Sequence, residues 1–324
     1  MGIAEKPDNA TIASLFTVAA FYKFLRLRDT GSLKKQLTEI CKENEIYGTV
    51  LLAREGINGT ISGKEHSINK LFAWLKTQPN FDDIQVKFSI SSKQVFHRLK
   101  VRLKKEIVTM GEPDIDPNKT VGTYVKPENW NDFINDPETL IIDTRNEYEV
   151  AIGTFKNALS PQTKSFREFP DWVQAKLDTL PHHKRPKQIA MFCTGGIRCE
   201  KATSYLANKG YNNVFHLEGG ILKYLETISE MESTWNGDCF VFDQRVSVEH
   251  GLIPGKYKLC HACRMPLKPT DLKAREYQLG ISCPKCYGSH TPQQKKRFKD
   301  RQLQVELAEK RGGSHIGSIP GKRR

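Results

Sequence analysis

What this sequence lacks narrows it first. No stretch approaches the roughly 20 apolar residues that span a bilayer as a helix, so no membrane segment is expected. The first residues carry neither a basic segment ahead of an apolar run nor a small-residue cleavage pattern. A secretory signal is therefore not expected, and the cytoplasm is the default compartment. A dense disulfide framework is missing as well: four of the eight cysteines fall in two Cys-x-x-Cys pairs, and Cys41, Cys193, Cys199 and Cys239 are scattered. Such usage fits a reducing compartment with metal-binding and catalytic thiols. There is no Rossmann glycine pattern and no two-His, one-carboxylate set, so the sequence leaves any redox cofactor unassigned.

What is present begins with size and charge. At 324 residues the chain has room for two or three domains. Its net charge of +13 is not explained by one terminal tail. A basic balance of this size attracts polyanions, nucleic acid before anionic membrane, while a merely solvated basic face remains the plain alternative.

The densest chemistry lies in Cys193-Thr194-Gly195-Gly196-Ile197-Arg198. An apolar run, Ile189 to Phe192, reads as a buried strand before it, and Glu200 to Lys209 reads as a helix after it. A strand turning through two glycines into a helix aims backbone N–H groups and the positive helix end at one point above the cysteine. That geometry favours a thiolate and suits a sulfur carrying extra negative charge. A buried cysteine beside a helix start is the alternative.

Three segments are expected, at 1–115, 121–230 and 231–324. The first alternates strands and helices: Phe16 to Leu27, helix Ser32 to Asn44, Tyr47 to Ala53, a turn at Gly56 to Gly59, strand Thr60 to Ser62, helix Glu65 to Thr77, then strands Phe81 to Ser89 and Phe96 to Val108. This order predicts a ferredoxin-like (acylphosphatase-like) sheet with both helices on one face. In its last strand Arg98, Lys100, Arg102 and Lys104 alternate with Leu99, Val101 and Leu103, so the cations share one face. The row suits phosphates or, alternatively, protects a sheet edge. Glu112 to Lys119, rich in Pro and Asp, reads as a linker. The second segment predicts an α/β domain with a parallel sheet and Cys193 at the carboxyl end of a strand.

The third segment holds Cys260-x-x-Cys263 and Cys283-x-x-Cys286, a spacing that predicts one tetrahedral zinc of structural role, with no open position for water. Lys295, Lys296 and Arg297 open a basic stretch, Gln293 to Lys310, that reads as a helix offering phosphate contacts or a solvated face. The last dozen residues, ending in Lys322-Arg323-Arg324, read as disordered.

Asp143-Thr-Arg145-Asn-Glu147-Tyr148, the Cys193–Arg198 loop and Leu217-Glu-Gly219-Gly220 together resemble the rhodanese family over about Val121 to Glu230. The resemblance implies a sulfur-carrying cysteine. Related phosphatases have a loop one residue longer, so phosphatase activity is not expected. Arg54-Glu-Gly-Ile-Asn-Gly-Thr60 and Cys260-His-Ala-Cys263-Arg264 extend the similarity to the rhodanese-related tRNA uridine hydroxylases along nearly the whole chain. That resemblance implies oxygen-dependent 5-hydroxylation of uridine 34, with Cys193 as the essential cysteine through a persulfide intermediate. It also implies a tRNA anticodon stem-loop and O2 as partners, beside a sulfur or electron donor. In this reading Arg198 stabilises negative charge at the loop, and Asp143 and Arg145 hold its shape. Cys199 either relays sulfur or simply packs. A plain sulfurtransferase using Cys193, and a non-catalytic RNA-binding module, stand as the other readings.

Overall fold

A computed structural model describes residues 15–311. Gly312-Gly313 and Lys322-Arg323-Arg324 of the expected disordered end lie outside the described residues. The chain divides into two compact units: one ends at Cys239 and takes back Glu249–Ile253, and the other comprises Phe240–Val248 and the chain from Pro254 onward.

The first unit begins with a five-stranded sheet. Its elements are β1 (Phe16–Phe24), α1 (Thr30–Glu43), β2 (Tyr47–Ala53), β3 (Gly56–Gly63), α2 (Glu65–Lys76), β4 (Gln85–Ser91) and β5 (Leu99–Leu103), in the spatial order β4-β1-β3-β2-β5. This is the expected ferredoxin-like sheet with an added edge strand, β5, parallel to β2. Asp29 starts α1 by accepting the N–H of Ser32 at 2.9 Å, which satisfies a donor that the first turn leaves free. Alternation decides the packing. Ala19 and Phe21 of β1, Val50 and Leu52 of β2, and Ile57 and Ile61 of β3 share one buried core with Leu33 and Leu37 of α1 and Leu71 and Leu75 of α2. Leu99 and Val101 of β5 pack against the same core.

The expected turn at Gly56 to Gly59 is displaced. Ala53 pairs with Gly56 and Leu51 with Asn58, so the hairpin turns at Arg54-Glu55 and β3 runs straight through the glycines. Glycine marked a turn by composition, but at Gly59 its use is steric: an added Cβ would lie 2.7 Å from the Phe21 ring across the pair.

The register also places the opposite sheet face. Lys87 pairs with Ala20, Ala20 with Thr60, Thr60 with Thr49, and Thr49 with Lys100. The adjacent row runs Gln85, Tyr22, Asn58, Leu51, Arg102. Directly opposed residues point to one side. Tyr22, Lys87, Lys100 and Arg102 therefore share the helix-free face.

The second sheet of this unit is parallel, in the order β6-β10-β9-β7. This part of the chain comprises β6 (Thr123–Val125), α3 (Pro127–Asn135), β7 (Thr139–Asp143), α4 (Glu147–Val150), β8 (Gly153–Phe155), α5 (Phe169–Val173), β9 (Gln188–Phe192), α6 (Ile197–Asn208), β10 (Val214–Leu217) and α7 (Gly220–Thr227), with β8 outside the parallel sheet and paired with Trp235–Gly237. Ile189 and Met191 face a core with Ala202, Tyr205 and Leu206 of α6. Their neighbour Phe192 meets Trp130 of α3 on the other side, with ring centroids 6.3 Å apart. Helices thus cover both faces, as a parallel sheet requires. The expected linker is not free: Met110 and Ile115 are buried in the core of this second sheet.

The second unit is built on its cysteines. Cys260, Cys263, Cys283 and Cys286 cluster with Leu267, Leu272 and Tyr277. Helix α8 (Pro292–Lys310) starts at a capping box between Thr291 and Gln294. Arg301 ties it down by donating to the carbonyls of His261 and Gly280 at 2.9 and 2.8 Å.

Candidate active site

Cys193 follows directly on β9 and precedes α6, at the carboxyl end of the parallel sheet. Its side chain is wholly out of solvent. The Gly196 N–H donates to its sulfur at 3.1 Å. Of the two loop glycines, only Gly196 is demanded by the geometry. It sits at φ +103, and a Cβ there would lie 2.7 Å from the Tyr22 hydroxyl, whereas one at Gly195 would meet nothing within 4 Å. The late glycine pair belongs to the same site. A Cβ on Gly220 would strike the Cys193 carbonyl at 2.5 Å and the Gly196 nitrogen at 2.8 Å. Its absence lets the start of α7 dock on the loop, where the N–H groups of Ile221 and Leu222 donate to the carbonyls of Cys193 and Thr194 at 2.9 and 3.0 Å.

Burial alone would push the Cys193 thiol up, because a buried charge loses its hydration. Here that penalty is outweighed by a hydrogen bond from the Cys199 thiol, by the Arg198 charge, and by the N–H groups of Cys199 and Gly196. The thiol is lowered to about 5. Cys199 moves the opposite way, raised by burial and by the anionic neighbour to which it donates. Its sulfur also lies 3.6 Å from the Thr144 hydroxyl. Cys199 is therefore packed in the core, with its thiol favouring the anionic form of Cys193.

Two buried ion pairs brace the loop. Arg145 donates to both Asp143 oxygens, at 2.9 Å from Nε and 2.7 Å from Nη2, with both side chains fully buried. Arg198 makes a fork with Glu149, 2.7 Å on each arm. It also donates to the Thr194 hydroxyl at 3.3 Å. Arg198 thus spends its planar donors on a carboxylate. It reaches Cys193 as a nearby charge that favours the anion. Glu149, not singled out in the sequence, completes this brace. Its one sequence signal is its place in the acidic helix start after Asp-x-Arg.

The structure adds a rim that no motif announced. Tyr22 of β1 donates to Glu200 Oε1 at 2.7 Å, and the Tyr124 hydroxyl of β6 favours the charge of the same carboxylate. Lys87 of β4 lies 5.2 Å from the Tyr22 ring centroid. Burial pushes the Glu200 carboxyl up, while the Tyr22 and Tyr124 hydrogen bonds and the Lys87 charge pull it back. The Lys87 ammonium is lowered by burial and supported by the charges of Cys193 and Glu200. Tyr22, Lys87, Tyr124 and Glu200 each keep some exposure, unlike the thiol beneath them. The site is therefore composite, with sulfur from one sheet and part of its rim from the other.

Of the basic residues expected to meet phosphate, Arg98, Arg102 and Lys104 are exposed along the edge strand and Lys100 is half-buried. Lys295, Lys296 and Arg297 lie in the first turns of α8 in the other unit. Lys295 stands over the Tyr287 ring at 5.3 Å, and Lys296 and Arg297 are exposed.

The four paired cysteines converge. Their sulfurs lie within 4.8 Å of one another, with edges of 4.0 Å for Cys260–Cys286, 3.7 Å for Cys263–Cys283 and 3.6 Å for Cys283–Cys286. A tetrahedral zinc with four thiolates needs edges of about 3.8 Å. The residues fit a closed metal site.

Comparison with known proteins follows the same division. Residues 16–107 match the UPF0176 acylphosphatase like domain, and residues 126–227 match the rhodanese-like domain. A tRNA uridine(34) hydroxylase of Acaryochloris marina is 55% identical over 305 residues, 94% of this chain and 97% of its own length. One from Agrobacterium fabrum is 55% identical over 315 residues, 97% of this chain and 98% of its own length. A solved rhodanese-related protein from Thermoplasma volcanium aligns at 21% identity with a TM-score of 0.26, covering 32% of this chain and 91% of that one.

Proposed function

The chain belongs to the tRNA uridine(34) hydroxylase family, and on that premise we propose that it hydroxylates C5 of the wobble uridine in tRNA at Cys193, with O2 as oxidant. The observation that carries this reading is the Cys193 sulfur, which accepts the Gly196 N–H and has its thiol lowered by its surroundings, in a chain that matches those hydroxylases over nearly its whole length. Cys193, as thiolate or persulfide, adds to C6 of the uracil ring and moves the electron pair of the C5–C6 bond onto C5 and O4. The electron-rich C5 takes one oxygen atom. Loss of the C5 proton and expulsion of sulfur from C6 then restore the ring and the free nucleophile. The second oxygen atom leaves as water, taking two protons and two electrons from an external sulfur or electron donor. Arg198, Cys199 and the loop N–H groups hold the sulfur anionic through this cycle, and Asp143, Arg145 and Glu149 keep the loop in shape.

The wobble base lies in a single-stranded loop, where it can be splayed into a site without opening a duplex. Lys100 and Arg102 share a sheet face with Tyr22 and Lys87. Four strand spacings of about 4.8 Å separate Lys100 from Lys87, a span suited to successive phosphates leading to the site. Arg98 and Lys104 extend that row, and Lys295, Lys296 and Arg297 supply phosphate contacts on α8. Cys260, Cys263, Cys283 and Cys286 hold zinc as a structural tie in the second unit. The reaction belongs in the cytoplasm, where tRNA is found.

Liquid chromatography–mass spectrometry of tRNA nucleosides tests the activity. Expression of the wild-type chain in a strain lacking other routes should produce 5-hydroxyuridine, and Cys193→Ser should produce none. Undiminished product from the serine variant would sink the role of Cys193. Thiosulfate-to-cyanide transfer without nucleoside change would favour the sulfurtransferase reading instead.

A further inference from the structure

Glu200 stands in the first turn of α6, where a carboxylate is ordinarily solvated and favoured by the helix end. This one is half-buried beside the anionic Cys193, a placement that adds repulsion. The Tyr22 hydroxyl holds it by a hydrogen bond of 2.7 Å, and the Tyr124 hydroxyl of a separate strand favours its charge. The Lys87 ammonium joins the same cluster. Together the four residues form a partly exposed rim over a sulfur that has no exposure of its own.

Donor and acceptor order on this rim has a matching ligand. A carboxylate whose neighbouring hydroxyls both donate to it still has lone pairs to accept a further N–H. The ammonium beside it can only donate. An acceptor next to a donor complements the N3–H and carbonyl edge of uracil. Cytosine would set its N3 lone pair against the carboxylate and, with the ammonium on the position-4 side, an amino group against the ammonium, leaving polar groups unpaired on both sides.

We propose that Glu200 and Lys87 form the base reader of this site: the Glu200 carboxylate accepts a hydrogen bond from uracil N3–H while the Lys87 ammonium donates to an adjacent carbonyl oxygen, with Tyr22 and Tyr124 positioning the carboxylate. This assignment rests on the uridine-hydroxylase reading and supplies its selectivity. Sites built on hydrogen bonds reject mismatched polar edges strongly, because the site's own groups are left unpaired.

The test uses the full chain with anticodon stem-loops carrying uridine, cytidine or N3-methyluridine at position 34. Equilibrium binding is read by fluorescence anisotropy and turnover by mass spectrometry. Wild type should bind the uridine stem-loop at least about tenfold more tightly than the other two. Glu200→Gln keeps an oxygen that accepts from Tyr22 and Tyr124, so a bracing role predicts kinetics near wild type. The base-reading role predicts a fall of about 100-fold or more in kcat/KM for uridine and a narrowed gap between the uridine and cytidine stem-loops. The alkylation rate of Cys193 monitors an intact site in the variant, and the N3-methyluridine arm needs no variant. Equal wild-type binding of uridine and N3-methyluridine overturns the proposal, as does a Glu200→Gln enzyme within about threefold of wild type. Selective binding of uridine without any hydroxylation would refute the activity and support the reader.

Discussion

Three cysteines of this chain lie equally out of water and differ in kind. Burial pushes Cys41 and Cys239 up to about 12, while Cys193 is lowered to about 5 against the same penalty. The difference lies in what surrounds the sulfur: N–H groups, a thiol donor and an arginine at Cys193. The folded value is below the ordinary thiol value of about 8.5, so the thiolate persists through neutral pH and is lost as pH falls through about 5. Iodoacetamide labelling of Cys193, followed by peptide mass spectrometry, should show a rate flat above about pH 6 and falling about tenfold per unit below pH 5. Cys199→Ala removes a donor and should move that midpoint upward, whereas Cys199→Ser should largely keep it. A wild-type midpoint near 8.5 would contradict the geometry. The six-residue loop was readable from sequence because its chemistry is local. The partners of the loop were less so: Glu149 is signalled only by its place after Asp-x-Arg, and Tyr22, Lys87, Tyr124 and Glu200 carry no motif and are brought in by packing.

At the scale of elements, alternation in sequence located the strands, and the face each strand buries followed from it. The role of Arg54 to Thr60 did not follow. In the structure its turn residue Glu55 reaches Lys201 of α6 at 2.9 Å, and Glu106 meets the same ammonium at 2.6 Å. Lys201 is 1% exposed and donates a third time, to the Val108 carbonyl at 3.2 Å. This triad pins the first sheet to the second and keeps Tyr22 above Cys193. Lys201→Met leaves two carboxylates facing each other without a cation. It should cost about 2–3 kcal/mol, below the range for fully buried pairs because Glu55 and Glu106 retain some water. Urea unfolding of the purified protein measures it, and a shift under about 0.5 kcal/mol would remove the triad from the stability account.

On the scale of the whole molecule, the two units rest on different physics. The first buries apolar cores on both sides of its parallel sheet and under both helices of its ferredoxin-like sheet. Among the described residues, the second buries Leu267 with Cys260, Cys283 and Cys286 in one small cluster, beside a few residues such as Val248 and Ile281, little apolar surface for independent stability. A metal ion held by the four thiolates would add the missing term. Dialysis against a strong chelator should release one zinc per chain, read by atomic emission, and expose Cys260–Cys286 to limited proteolysis, with protection restored by zinc. Metal-free protein with unchanged protease resistance would contradict a structural zinc.

Sequence by itself determined the local units: which runs alternate as strands, where glycine permits a curled anion loop, and which four cysteines share a metal spacing. These depend on neighbours within a few residues, so they can be read without the fold. Tertiary structure alone decided the ionisation of Cys193, the commitment of Arg198 to Glu149 and the composite rim of Tyr22, Lys87, Tyr124 and Glu200. Each of these depends on groups up to 178 positions apart in the chain, and only strand register and the docking of one sheet on the other bring them within reach of one sulfur atom.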